Sequence, residues 1–254
     1  TAPARWRRRA ALLAALALPL LYVGWQAPVR DTVSAAGGPS TSAAYYAPLL
    51  RFLAAKSAPP APPFRVEIPF TASHWEAYEV AIRYPLARGW ERQLDVADDP
   101  LFYGGKLTAA GYEAWLHSDA VRFVALPDVA LDPSADAEAR LIRAGQPYLR
   151  LVMRSAHWRV YAVANATPIV TGDATLQTLG ADTISLHART AGTALVRVRF
   201  SPYWALVRGD GCVAPAGRYM RLTLRRGGAV LLAPSFSPGR IGARSARCTA
   251  APRG

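Results

Sequence analysis

The sequence predicts an α+β protein in which one transmembrane helix leads into a small α/β domain and then an antiparallel β-sandwich. An uncharged apolar segment follows a basic cluster near the start of the chain. Helix and strand patterns alternate through the middle, and after about residue 168 only alternating strands separated by turn residues remain. The predicted parts are a basic flank with the transmembrane helix (1–27), a linker with a short helix (28–63), the α/β domain (64–165), the sandwich (166–238) and a flexible tail (239–254).

The predicted transmembrane helix extends from Ala10 to Val29. This uncharged segment of about 20 residues would cover about 30 Å as a helix, which is enough to cross the apolar part of a bilayer. Tyr22 and Trp25 lie near its far end, where aromatic residues favour the lipid–water interface. A signal peptide and a buried helix are the alternatives. The nearest small-residue cleavage site, Ser34-Ala35-Ala36, lies far beyond the apolar core, which disfavours the signal peptide.

The basic residues before this helix predict its orientation. Arg5 and Arg7 to Arg9 would stay in the cytoplasm, so the chain after Trp25 is expected outside the plasma membrane, with the lipid bilayer as a partner. Because residue 1 is Thr, we expect this helix to be the last of several. Cys212 and Cys248 are either two unpaired thiols or one disulfide, and an oxidising exterior favours the disulfide.

The net charge of +13 does not by itself indicate nucleic-acid binding. All basic residues except Lys56 and Lys106 are arginines, scattered through a chain rich in Ala, Gly and Pro. A nucleic-acid protein more often concentrates its basic residues on one element, with aromatic residues between them. No nucleic-acid partner is therefore expected. Two cysteines without histidines at ligand spacing also predict no metal site, and no cofactor is expected.

The α/β part is predicted from periodicity and capping signals. A helix at Tyr45–Ala55 precedes it within the linker. The predicted helices are Ser73–Ile82, with a capping box of Ser73 and Glu76, then Leu107–Ser118 capped by Thr108, and Asp132–Gly145. The predicted strands are Phe64–Phe70, which alternates, Ala120–Pro127, which is buried, and two strands within Leu149–Val163 joined by a turn near Ser155.

The densest mixture of charged and aromatic residues is RGWERQLD, from Arg88 to Asp95. Trp90 offers a stacking face for a sugar, while arginine and carboxylate side chains bind hydroxyl or phosphate groups. The candidate ligand-binding residues are therefore Arg88, Trp90, Glu91 and Arg92. In the alternative interpretation, Glu91 and Asp95 pair with the arginines and Trp90 packs beneath them.

Other polar residues carry weaker signals. His74 and His157 each precede a tryptophan, and a place beside an aromatic core is the favoured interpretation. Asp98-Asp99 precedes Pro100 and is predicted to form a solvated turn. The sequence has neither a P-loop nor a G-x-S-x-G motif, so no catalytic residue is predicted.

Three runs carry a resemblance to a known family: RVEIPFTASHWEAYEVAIRYPLARGWERQLD, LFYGGKLTAAGYEAWLHSDAVRFVALPD and YLRLVMRSAHWRVYAV. With the preceding apolar helix, the region from Arg65 to Phe236 resembles the C-terminal part of actinobacterial multi-pass membrane proteins. That family is similar to the GT-C glycosyltransferases, which take sugars from polyprenyl-phosphate carriers outside the membrane. Their catalytic acid usually lies in an early extracytoplasmic loop, so no catalytic residue carries over to this chain.

The resemblance implies the extracytoplasmic C-terminal region of a protein of cell-envelope glycan metabolism. The whole protein would be a polyprenyl-phosphate-sugar-dependent glycosyltransferase whose catalytic part is missing from this chain, and its partners would be a lipid-linked sugar or a glycan acceptor. Two alternatives stay open: a membrane-anchored, non-catalytic binding or scaffold module, and a transporter of envelope precursors.

Overall fold

The computed structural model describes residues 4–235 and Cys248. Its first helix, α1, covers Ala4–Ala36, and the segment Ala11–Val33 is long and apolar enough to cross a membrane. The helix is longer than predicted, since the linker was expected to begin at residue 28. It continues past Pro28 because no further Gly or Pro occurs before Gly37-Gly38.

Helix α2, Ala43–Ser57, packs on the α/β unit although the sequence placed it in the linker. It begins after Ser42, whose side chain accepts a hydrogen bond from the Ala44 N–H at 3.3 Å. Its buried face packs into the same core as Phe123, Trp158 and Val160, and consists of Tyr45, Tyr46, Leu49 and Leu53. The linker prediction is therefore wrong for this helix, because its apolar face covers the sheet.

The first sheet has four strands in the order β1-β2-β4-β3: Arg65–Glu67 (β1), Val121–Pro127 (β2), Leu149–Arg154 (β3) and Trp158–Val163 (β4). β1 is parallel to β2, and the other pairs are antiparallel. Helix α2 lies on one face of the sheet. Two further helices contribute to the core on the other face, Ala109–Ser118 (α5) and Asp136–Arg143 (α6). The α/β unit thus has three layers.

Two helices between β1 and β2 differ from the prediction. The expected helix at Ser73–Ile82 is only one turn, Glu76–Glu79 (α3), and no side chain caps it. The capping box is wrong because the Glu76 carboxylate instead accepts bonds from the Thr71 N–H at 3.2 Å and the Thr71 hydroxyl at 2.6 Å. A helix at Arg92–Asp98 (α4) was not predicted from the sequence pattern.

The strand predicted at Phe64–Phe70 is regular only over β1 and is buried on both faces. Its expected alternation does not separate a buried face from an exposed one, since Glu67 is as buried as Val66. The reason is that the chain covers both sides of this strand, and Glu67 lies inside a cluster of charges.

Residues 170–234 form the antiparallel β-sandwich that the sequence predicts. Its two sheets have the strand orders β10-β11-β8-β5 and β6-β7-β12-β9 and share one apolar core. The strands are Val170–Gly172 (β5), Ala174–Leu179 (β6), Ile184–Ala188 (β7), Gly192–Arg199 (β8), Trp204–Arg208 (β9), Gly211–Ala216 (β10), Tyr219–Leu224 (β11) and Gly228–Pro234 (β12).

A disulfide joins Cys212 on β10 to Cys248. The sequence left open whether these cysteines are unpaired thiols or one disulfide, and the structure has the disulfide. The predicted flexible tail at 239–254 lies outside the described residues, apart from Cys248.

Charged residues connect the α/β unit to the sandwich. Asp99, which follows α4, accepts hydrogen bonds from Arg199 at 2.7 Å and from Arg218 at 3.0 Å, both in the sandwich. Asp99 also accepts a hydrogen bond at 2.9 Å from the indole N–H of Trp115, which belongs to the α/β unit. Asp99 is therefore buried and not in the solvated turn that was predicted, because three donors compensate for its lost hydration.

Candidate functional site

Three exposed aromatic side chains surround an open cavity of about 630 Å³ on the α/β unit. Trp75, Tyr78 and Trp90 are 39%, 61% and 56% exposed. Ser73, His74 and Ala77 complete the lining. We call these six residues the aromatic cleft. Burying a large aromatic side chain away from water is favourable. A cavity surrounded by several exposed aromatic side chains is therefore a candidate contact surface for a ligand.

The cleft is assembled from two separate segments. Trp75 and Tyr78 are three positions apart at helix α3, and their ring centroids lie 5.9 Å apart in an edge-to-face arrangement. Trp90 comes from the loop before α4. The spacing of Trp75 and Tyr78 was a signal available in the sequence, but the approach of Trp90 depends on tertiary packing.

Arg88 fixes the loop that carries Trp90. Its guanidinium is completely buried and lies 4.3 Å from the centre of the Phe70 ring and 3.7 Å from that of Phe102. It donates to Asp95 at 3.1 and 2.7 Å and to Glu138 at 3.1 Å. The prediction that Arg88 binds a ligand is therefore wrong for this fold, because buried carboxylates already occupy its donors.

His74 supplies a titratable imidazole to the cleft. Its Nδ1 lies 3.6 Å from a Glu76 oxygen, and its Nε2 lies 3.5 Å from an Asp132 oxygen. Interaction with Glu76 raises the pKa of His74 above its ordinary value; partial burial opposes this shift, and Asp132 adds to it. The two carboxylates thus favour the imidazolium form. The sequence interpretation of His74, a helix start beside an aromatic core, missed these partners.

Asp132 connects His74 to Arg92. Burial alone would raise the pKa of Asp132, but hydrogen bonds from Ser134 and the charges of Arg92 and His74 lower it overall. One Asp132 oxygen accepts from the Ser134 N–H at 2.8 Å and hydroxyl at 2.7 Å, while the other contacts Arg92.

The structure thus separates the four predicted ligand-binding residues. Trp90 lines the aromatic cleft, and Arg92 is half exposed and paired with Asp132 behind His74. Glu91 is exposed at the start of α4, and Arg88 lies inside the protein. The alternative interpretation is correct for the pairing of Asp95 with Arg88, whereas Trp90 does not pack beneath the arginines.

The cleft offers rings for stacking and a mixture of hydroxyl, imidazole and guanidinium donors nearby. Across residues 4–235 and Cys248, no group of three or more His, Cys, Asp or Glu side chains is placed to hold a metal ion. No known protein family, curated protein or solved structure matches this chain. The fold and the cleft therefore define the class: an α+β protein with a helix able to span a membrane and a cleft lined by exposed aromatic side chains.

Proposed function

We propose that this chain is the extracytoplasmic region of a multi-pass membrane protein of cell-envelope glycan metabolism. The whole protein would be a polyprenyl-phosphate-sugar-dependent glycosyltransferase whose catalytic part lies outside these residues. In this proposal the aromatic cleft holds the acceptor glycan. The observation that carries it is the convergence of Trp75, Tyr78 and Trp90 around a cavity that His74 also lines.

The chemistry of the cleft matches that of a sugar. The C–H face of a pyranose ring stacks on an aromatic ring, and its hydroxyl groups pair with polar side chains. A cavity of about 630 Å³ falls in the usual range for small-ligand sites, about 300–1,000 Å³. The Ser73 hydroxyl, 2.9 Å from the Ser40 hydroxyl, adds a group that can donate or accept.

Helix α1 supports a location at the membrane. Its apolar segment Ala11–Val33 could anchor the chain, and the arginines before it would favour the cytoplasmic side. With that orientation the aromatic cleft faces the envelope, where glycans are built.

Binding of oligosaccharides tests the proposal directly. The full chain in neutral detergent micelles is titrated calorimetrically with oligosaccharides released from envelope polysaccharide. We expect Trp90→Ala and Tyr78→Ala each to weaken binding about fivefold, since stacking on one ring contributes on the order of 1 kcal/mol. Ile82→Ala is the matched control, because Ile82 is 70% exposed nearby but lies outside the cleft. No binding by the wild type, or equal affinity in Trp90→Ala, would refute the glycan site.

A membrane-anchored module without an enzyme is the second candidate, favoured because the described residues contain one helix that is long and apolar enough to cross a membrane. The intact mass of the native protein extracted from its membrane separates the two proposals. A mass well above 27.3 kDa supports the multi-pass enzyme or a transporter, and a mass near 27.3 kDa supports the module.

A further inference from the structure

A second cavity, of about 430 Å³, lies where the β3–β4 hairpin turns beside the end of helix α6. Three arginines line it together with Asp128, Ser155 and His157. Arg143 belongs to the last turn of α6, and Arg154 and Arg159 flank the hairpin turn. We call these six residues the arginine pocket. It is separate from the aromatic cleft and shares no residue with it.

The positions of the arginines are unfavourable without a counterion. Arg154 and Arg159 are direct partners across the antiparallel pair, where side chains lie about 5 Å apart at Cβ and like charges repel each other. All three arginines are exposed. In the part of the chain that the structure describes, none of them forms an ion pair with a carboxylate.

The acidic residue in the wall does not neutralise them. Asp128 accepts a hydrogen bond from the Tyr45 hydroxyl at 3.0 Å with one oxygen, and its other oxygen lies 3.0 Å from His157 Nδ1. Three arginines therefore line one cavity whose carboxylate already has partners. The Ser155 hydroxyl accepts from the Trp158 N–H at 3.1 Å, so its own proton can point to a ligand.

We propose that the arginine pocket binds the phosphate group of a phosphate-bearing ligand. The planar fork of a guanidinium matches phosphate oxygens with two parallel hydrogen bonds, and three such groups around one cavity favour a multiply charged anion. The cavity is larger than a single phosphate requires, which fits a phosphate ester or a diphosphate. A soluble ester and a lipid headgroup present the same chemistry to this pocket.

Thermal unfolding of the full chain in neutral detergent micelles tests the site. Sodium pyrophosphate is added while sodium chloride keeps the ionic strength constant. We expect the wild-type midpoint to rise by about 5 °C or more at roughly 100 times the dissociation constant, because a ligand that binds only the folded state stabilises it. Absence of a shift would overturn the proposal.

Three variants locate the effect. We expect Arg154→Gln and Arg159→Gln to lose the pyrophosphate shift while their ligand-free midpoints stay unchanged or rise, since each removes a like-charge contact. Arg140→Gln is the control, because Arg140 is exposed one turn earlier on α6 and does not line the pocket. An equal loss in Arg140→Gln, or a lower ligand-free midpoint in both hairpin variants, would show a general charge effect or a structural role and would refute the site.

The source of the phosphate is decided by a second comparison. Glucose 1-phosphate in solution and phosphatidic acid in mixed micelles are each tested on the wild type and on Arg154→Gln. A variant-sensitive shift with the soluble ester indicates a free ligand, and one only with the lipid indicates a headgroup; both support the pocket. If a polyglutamate peptide gives the full shift and neither phosphate compound does, the partner is an acidic protein segment and the proposal fails.

Discussion

His74 adopts a left-handed backbone conformation, with φ of 55°, two residues before the start of helix α3. This conformation is unfavourable for a residue with a Cβ, by about 1–2 kcal/mol. In it the His74 ring reaches both the Glu76 and the Asp132 carboxylates. We infer that the ion pairs offset the backbone strain and hold the chain next to Trp75.

His74→Asn tests this interpretation, because Asn accepts the left-handed conformation but carries no charge. The raised pKa of His74 means that its contribution to stability is complete below about pH 6.5 and is lost as the pH rises through the folded-state value. We expect the variant to be less stable than the wild type by about 1 kcal/mol or less at pH 5.5, and this difference to shrink at pH 8.5.

Urea unfolding at the two pH values measures the difference. His187→Asn is the control, since His187 is exposed on β7 and is absent from the ion pairs of the described chain. The same difference from wild type at both pH values for His74→Asn would contradict the charged interaction.

Sequence patterns could not predict the environment of His74, and the reason is physical. Its partners lie on two segments, and Asp132 is far along the chain. A positive φ at a non-glycine residue has no dependable local signature. By contrast, Trp90 was named as a candidate stacking residue because it lies among charged neighbours in the chain, and its side chain is exposed.

At the scale of elements, Arg88 holds together β1, α4 and α6. It lies 3.7 Å from Glu67 on β1 and bonds Asp95 on α4 and Glu138 on α6. Burial raises the pKa of Glu67 well above its ordinary value, and the charge of Glu138 raises it further. Burial also raises the pKa of Glu138, so both Glu67 and Glu138 hold a proton beside Arg88 more readily than exposed carboxyl groups would.

Arg88→Met should lower the free energy of unfolding by about 3–5 kcal/mol, because it leaves buried carboxylates without a cation. Arg83→Met is the matched control on the exposed surface, with an expected change within about 0.5 kcal/mol. Urea denaturation of the full chain in micelles, followed by tryptophan fluorescence, gives both values. A loss below about 1 kcal/mol for Arg88→Met would mean that packing alone holds the three elements.

Elements with strong local signals were predicted well. Helix α5 begins after Thr108, whose hydroxyl accepts the Gly111 N–H at 3.1 Å, as the capping signal indicated. Strand β2 and the β3–β4 hairpin are also near their predicted limits. Helix α3 is shorter than predicted because Glu76 bonds back to Thr71 instead of capping the helix, and helix α4 was not predicted.

At the scale of the whole molecule, the α/β unit and the sandwich are connected by partly buried polar contacts. The Asp99 carboxylate accepts hydrogen bonds from Arg199 and Arg218. Arg218 also donates a hydrogen bond to Asp119 at 3.2 Å. Arg65 on β1 donates to the backbone oxygen of Arg197 on β8 at 2.9 Å. We infer that the two units unfold together.

Asp99→Asn should weaken this connection. It removes the charge that two partly exposed arginines share, so we expect a loss of about 1–3 kcal/mol and a separation of the unfolding transitions of the two units. Asp210→Asn is the control, because Asp210 pairs at 3.5 Å with exposed arginines inside the sandwich, where such pairs contribute little. Calorimetry that still shows one transition with an unchanged midpoint for Asp99→Asn would contradict the inferred coupling.

The sequence by itself determined the apolar helix, the class of the fold and the β-strand character of the chain after about residue 168. These follow from composition and periodicity, which each segment carries on its own. Tertiary structure alone decided that Arg88 lies inside, that Trp90 meets Trp75 and Tyr78, and that three arginines converge on one pocket. The physical reason is that burial and charge pairing depend on which distant segments become neighbours, and no local pattern specifies that choice.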